Sequence, residues 1–184
     1  EYNIPTDLPI LLLQGAFMDR DRGTSDAVNA LEIMTDVRLV LVGAGLEFDE
    51  SILRKEDPRW KGRLHCIPRL PYDKLRVLTA SADVGLSLDK GLHANYLLSL
   101  PNKLFDFIHV GLPVVASSMV EVKRVVEDNG VGVVIENVTS EDIAAGVSKI
   151  LTNPREFWFE KCMAARENLH WGIDSFLITE HLGD

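Results

Sequence analysis

The stretch Leu98-Ser-Leu-Pro-Asn-Lys-Leu-Phe-Asp-Phe-Ile-His-Val-Gly-Leu-Pro-Val-Val-Ala-Ser-Ser118 decides how the rest of the chain is read. Pro101 suits the first turn of a helix, because its ring fixes φ and its missing N–H would have no intrahelical partner. The spacing predicts a helix that begins near Ser99 or Leu100 and closes at Gly111, placed as a C′ glycine. The N–H groups of Asn102, Lys103 and Leu104 then lie unpaired at the positive end of the helix dipole, a place for an anion. Lys103 adds a mobile charge, and Asp106, three residues further on, falls on the same side of the helix. One end attracts phosphate; the carboxylate beside it accepts hydrogen bonds from a pair of hydroxyls. A nucleotide with its ribose matches that pairing. Pro113-Val-Val-Ala116 has the short apolar reading of a buried parallel strand.

Outward from this segment, apolar runs alternate with helical spacing. Pro9-Ile-Leu-Leu-Leu13 is a compact run that breaks at Gly15, and Thr24 to Met34 carries Ala27, Val28, Leu31 and Met34 on one helical face. Val37 to Val42 reads as a second strand before Gly43 and Gly45, and Leu64 to Ile67 as a short third. A helix over Tyr72–Ser81 and a strand over Asp83–Leu88 precede the central segment. A helix over Met119–Asp128, a strand over Val131–Ile135 and a helix over Glu141–Leu151 follow it. Residues 1–8 read as a linker and residues 154–184 as a C-terminal helical region of a single domain. The alternation predicts an α/β fold, a Rossmann-like doubly wound parallel sheet of about six strands. In such a sheet the ligand crevice lies beyond the carboxyl ends of the strands, where Gly15, Gly43, Ser87 and the loop before Pro101 fall.

A chain of 184 residues has room for one sizeable core, and 46% hydrophobic with 26% charged residues is ordinary for a globular protein. The net charge of −9 would repel a polyanion, which excludes nucleic acid as a main partner and leaves phosphate binding to local basic residues. Cys66 and Cys162 are too few for a disulfide framework and read as buried thiols in a reducing compartment. No apolar run approaches the roughly 18 residues that span a bilayer. The N-terminus has no charged start followed by a long apolar stretch. The expected location is cytoplasmic, with any membrane contact peripheral.

Pro101-Asn-Lys-Leu-Phe-Asp-Phe-x-x-x-Gly-Leu-Pro-Val-Val-Ala-Ser117 resembles the donor-binding segment of retaining glycosyltransferases of family four, which have the two-domain GT-B fold. Gln14-Gly15-Ala16 with Arg22-Gly23, Leu41-Val-Gly-Ala-Gly45, Ser81-Ala-Asp83 and Gly130-Val-Gly132 resemble the family's other landmarks, in the family's order, so the resemblance covers roughly Pro9 to Asn153. It implies one half of a GT-B fold, binding a nucleoside-diphosphate sugar such as a UDP or GDP sugar, with no cofactor and no metal. The acceptor would lie in an N-terminal domain absent from this chain, which is then a fragment, inactive alone.

The resemblance assigns the donor diphosphate to Gly15, Arg22 and the first-turn residues Asn102, Lys103 and Leu104, and the ribose to Asp106. Gly15 leaves room for a phosphate against the backbone, and Arg22 offers a planar fork. Two departures stand out. Ala16 replaces an arginine that usually follows the first glycine, for which Arg20 is a candidate substitute, and Arg22 replaces a lysine. Leu98 occupies the first of two acidic positions eight residues apart, so the usual contact to the transferred sugar does not carry over and the sugar stays open. Leu70 falls where family members bind the base through backbone groups. Asn95 and Tyr96, in the polar loop from Asp89 to Tyr96, are candidates beside the donor sugar or as parts of a surface loop.

Other features read as structural. Asp19-Arg-Asp21 has a metal-binding spacing, but Arg20 and Arg22 offset its carboxylates. His109 lacks a visible proton-transfer partner and reads as a packing residue; the other histidines have no metal-ligand spacing. Trp158 and Trp171 read as packing for the terminal helices. Two further readings are a half-domain of a nucleotide-sugar epimerase, which would want a set of acids and histidines, and a receiver-like binding domain. The latter would want carboxylates at the end of the first strand, where Leu13-Gln14-Gly15 stands.

Overall fold

A computed structural model describes residues 2–91 and 100–169. Successive side chains of β1 (Ile10–Gly15) and β2 (Arg38–Gly43) point to opposite faces, and both faces are apolar. Leu11, Leu13, Leu39 and Leu41 enter one core, while Ile10, Leu12, Val40 and Val42 enter another. With β3 (Leu64–Pro68), β4 (Val84–Ser87), β5 (Val114–Ser117) and β6 (Gly132–Ile135), they form a six-stranded sheet among the described residues. Every pairing is parallel and the strand order is β3-β2-β1-β4-β5-β6.

The first face is covered by α1 (Thr24–Ala30), α2 (Leu46–Arg54) and α6 (Ser140–Leu151). The second is covered by α3 (Tyr72–Ala80), α4 (Asn102–His109), α5 (Val120–Asn129) and α7 (Arg155–Asn168). This is the doubly wound arrangement expected from the alternation. Trp158 of α7 is buried, as expected, and its indole N–H donates to the Ile150 carbonyl at 2.9 Å. No helix among the described residues is long and apolar enough to cross a membrane.

Three local expectations change. α2 falls in a stretch for which no helix was expected; its buried residues are Glu47, Phe48 and Ser51, while Leu53 is 83% exposed. α1 closes at Ala30 rather than Met34, although Leu31 and Met34 remain buried in the turn that follows. Pro101 stands outside the helix as its N-cap, at φ −72° and ψ 134°, so α4 starts at Asn102. Gly111 closes that helix as expected, at φ 79°, where only glycine is unstrained.

The strand order reverses between β1 and β4, which pair at Leu11 with Val84 and Leu12 with Gly85. A crevice opens beyond their carboxyl ends. α4 is seated there by Phe107, which packs flat on β4: a Cβ on Gly85 would fall 2.6 Å from its ring. The other wall is the Gly15–Gly23 loop, whose last three residues before Gly23 form a short 3-10 helix, Arg20–Arg22. Gly23 has φ 68°, and a Cβ there would meet the Leu88 carbonyl oxygen at 2.8 Å, so glycine lets this loop lie on the exit of β4.

Candidate functional site

Gly15, Arg22, Leu70, Asn102, Lys103 and Asp106, six residues named from the sequence, line one cleft of about 490 Å³ at the switch point. Leu104 does not join them. Its side chain is buried in the second core, and its N–H, expected among the unpaired amides, donates to the Pro101 carbonyl at 3.0 Å. Because Pro101 is the cap, the amides of Asn102 and Lys103 open the helix with no intrahelical acceptor in reach. Asn95, Tyr96 and Leu98 lie outside the described residues.

Gly15 has a distinctive role in the cleft wall. A Cβ on it would make only ordinary contact, 3.4 Å from the Phe17 carbonyl, so the protein's own packing does not demand glycine there. Gly43 on the adjacent strand differs, because a Cβ there would clash with the Gly15 carbonyl. Gly43 thus holds the Gly15 backbone in place, and Gly15 leaves the cleft side open.

Lys103 and Arg22, both expected at a diphosphate, converge here on Asp89, a partner that sequence reading left without a role. Lys103 Nζ lies 2.9 Å from Asp89 Oδ2, and Arg22 Nη1 lies 2.6 Å from Asp89 Oδ1. Burial works to raise the Asp89 pKa, but Lys103 and Arg22 outweigh it and hold the carboxyl below its usual range. Burial pushes the Lys103 ammonium the other way, below the ordinary lysine value, with Asp89 opposing the shift.

Asp106 is half-buried on the cleft side of α4. It accepts from the Gln14 amide at 3.3 Å and from the Tyr72 hydroxyl at 3.3 Å. The Thr79 hydroxyl in turn donates to Gln14 Oε1 at 2.9 Å, which sets the amide with its NH₂ toward the carboxylate. Burial raises the Asp106 pKa, with the Tyr72 hydrogen bond and His109 working against it. The nearby carboxylate also raises the Tyr72 pKa. Asp106 borders a second cavity, of about 710 Å³, between α3, α4 and α7.

Arg69 lies where Ala16 lacks a cation. Its Nε donates to the Ala16 carbonyl at 2.7 Å, and its guanidinium lies 4.4 Å from the centre of the Phe17 ring. Arg20 is exposed and is not part of the cleft lining. Asp89, Gln14, Tyr72 and Arg69 had no sequence signal for these roles, because each acts through partners far away in the chain.

Of the residues read as structural, His109 lines the cavity of about 710 Å³ and Cys66 is only half-buried, whereas Cys162 is buried. Asp19 Oδ1 accepts the Leu46 N–H at 3.3 Å at the start of α2, and Asp21 pairs with Arg22 at 3.8 Å. His109 Nε2 contacts the Leu169 carbonyl at 3.0 Å. Cys66 and Cys162 are free, and burial pushes their thiols up to about 11 and about 12. Among the described residues no group of three or more His, Cys, Asp or Glu side chains is placed to hold a metal ion.

Comparison with known proteins places this cleft in context. The family model described as glycosyl transferases group 1 matches residues 1–169. The fold is similar to that of WaaG, a glycosyltransferase involved in lipopolysaccharide biosynthesis, with TM-score 0.66 and 21% identity over 89% of this chain and 43% of WaaG. It is also similar to the C-terminal domain of LpcC from Francisella tularensis, a glycosyl transferase group 1 family protein, with TM-score 0.68 and 13% identity. That match covers 89% of this chain and 85% of the LpcC domain. S. aureus TarM, solved with UDP among its ligands, matches with TM-score 0.68 and 19% identity over 91% of this chain and 34% of TarM. The chain therefore spans less than half the length of WaaG and TarM. Among curated proteins, no sequence match was found.

Proposed function

The chain belongs to the glycosyl transferases group 1 family, and from that premise we propose that its cleft binds the nucleoside diphosphate of a sugar donor for transfer to an acceptor. One observation carries the reading: the open N-terminus of α4, Lys103, Arg22, Asp106 and the unobstructed Gly15 backbone all face a single cleft at the β1–β4 switch point. Cationic and carboxylate groups stand side by side there, as a diphosphate joined to a ribose requires.

Charge grows on the departing diphosphate as the bond to the sugar breaks. Fixed donors aimed at those oxygens lower the barrier, and the Asn102 and Lys103 amides, the Lys103 ammonium and the Arg22 guanidinium are such donors. Asp106 holds the ribose hydroxyls, and the Leu70 segment meets the base. With these cations in place, leaving-group stabilisation is assigned to the chain's own residues and no metal is called on. By the family resemblance, transfer proceeds with retention at the sugar carbon.

The acceptor site is assigned to a preceding N-terminal domain, and without it this half binds donor but transfers nothing. The cytoplasm, where two free thiols stay reduced, is the proposed location. TarM's complex with UDP supports a nucleoside diphosphate as the ligand class. A receiver-like role is disfavoured because Gln14 and Gly15, not carboxylates, end β1.

Saturation-transfer NMR with a panel of UDP-, GDP- and ADP-sugars tests the reading. Transfer to the ribose protons of at least one donor is expected. Silence from all of them, with a folded protein, would sink it.

A further inference from the structure

Asp89 stands where β4 gives way to the cleft, and its carboxylate is shared between two cations. One oxygen takes Arg22 at 2.6 Å and the other takes Lys103 at 2.9 Å. The carboxylate side chain is only 3% exposed and that of Lys103 only 10%. The Asp89 backbone is tied on both sides: the Ser117 hydroxyl donates to its carbonyl at 2.7 Å, and the next N–H, of Lys90, donates to the Asp21 carbonyl at 2.8 Å. One anchor comes from β5 and the other from the Gly15–Gly23 loop, so the backbone that carries the carboxylate is tied both to the sheet and to one wall of the cleft.

Two cations that are to meet one diphosphate repel each other before it arrives. Burial also favours the neutral amine of Lys103. Arg22 acts in the same direction, whereas Asp89 and, after it, Asp21 oppose it. Asp106, one turn along α4, is the remaining carboxylate on the cleft side of that helix.

We propose that Asp89 is a positioning residue of the diphosphate site, an internal anion that holds Arg22 and Lys103 as a charged, pre-aimed pair at the start of α4. The proposal rests on the nucleoside diphosphate reading above. Asp89 lies behind the two cations, with its side chain only 3% exposed, so an incoming diphosphate meets Lys103 and Arg22, which line the cleft, before it meets the carboxylate. The pair does not have to be assembled on binding, which lowers the ordering cost of the complex.

The experiment follows Lys103 by NMR in protein labelled with ¹³C-lysine, without ligand, alongside calorimetric affinities for uridine and guanosine diphosphate at pH 6.5 and 8.5. In the wild type, Lys103 is protonated at pH 7.5. In Asp89→Asn, which keeps the side-chain volume, the amine titrates at least about one pH unit lower, equivalent to a tenfold weaker hold on its proton. Diphosphate affinity then falls more at pH 8.5 than at pH 6.5, relative to wild type, by the factor that the measured variant titration dictates, because binding must return that proton. Asp89→Glu keeps the charge but shifts it, so affinity falls at both pH values while the Lys103 titration stays near wild type.

A neutral Lys103 in the wild type at pH 7.5 overturns the proposal. So does an unchanged titration in Asp89→Asn, or an affinity loss whose pH dependence departs from the one the measured variant titration dictates. If Asp89→Asn does not fold, the wild-type titration and Asp89→Glu decide. A wild type that binds neither diphosphate counts against the functional reading instead, and is distinguishable because the lysine titration needs no ligand.

Discussion

The Gln14 amide, at the end of β1, donates to the Asp106 carboxylate on α4 at 3.3 Å, joining residues 92 positions apart in the chain. The contact crosses the switch point of the sheet. It fixes the orientation of the one carboxylate assigned to the ribose, and Thr79 behind it fixes the amide.

Asp106→Asn is expected to weaken nucleoside diphosphate binding by roughly ten- to hundredfold, the loss of charge-assisted hydrogen bonds to a hydroxyl pair. Calorimetric titration of variant and wild type measures this directly.

The same substitution is expected to raise the thermal midpoint at neutral pH. Burial raises the folded-state pKa of Asp106 above the unfolded value, so stability falls as the pH climbs from the unfolded value to the raised one, and the full penalty is present above the latter. As pH falls toward the ordinary carboxylate range the native state takes up the proton first, and the penalty disappears. Unfolding midpoints from pH 7 to 4 should therefore converge for wild type and Asp106→Asn. A variant that is less stable than wild type at pH 7 contradicts this account.

Gly15→Ala and Gly43→Ala separate ligand space from packing. The first adds a methyl at ordinary contact distance and should change stability by less than about 1 kcal/mol while reducing diphosphate affinity. The second drives a methyl into the Gly15 carbonyl and should cost about 2 kcal/mol or more. Denaturant unfolding and titration of both variants test the contrast.

Arg69→Ala should weaken diphosphate binding several-fold, with the larger effect at low salt, as expected for a cation at the cleft lip. Arg69→Lys should not restore it, because an ammonium cannot reproduce both the Nε bond to Ala16 and the stacking on Phe17. Full rescue by lysine would reduce Arg69 to a generic charge.

Much of the fold could be read from the chain because it depends on local pattern. The apolar runs of β1, β2 and β5 are buried on both faces, and such runs announce a covered parallel sheet without tertiary knowledge. α2 escaped because its inward side is built from Glu47 and Ser51 with Phe48, and Glu47 earns its burial by accepting the Ser25 N–H at 3.2 Å.

The site was legible where one helix carries it and hidden where elements meet. Asn102, Lys103 and Asp106 lie within five residues of one another, so their spacing alone placed them together. Asp89 meets Arg22 and Lys103 only after β1, β4 and α4 are assembled, and Tyr72 reaches Asp106 from a different helix. The Pro101 cap moved the helix start and removed Leu104 from the donor set, a one-turn detail that depends on the ψ of a single residue.

The most direct measurement is a calorimetric comparison of uridine, guanosine and adenosine diphosphates and their monophosphates against wild type and Lys103→Met. The account predicts that at least one diphosphate binds more tightly than its monophosphate, and that Lys103→Met removes most of that difference in a variant that stays folded. Equal affinity for mono- and diphosphate in the wild type, or a difference that survives in Lys103→Met, would contradict it.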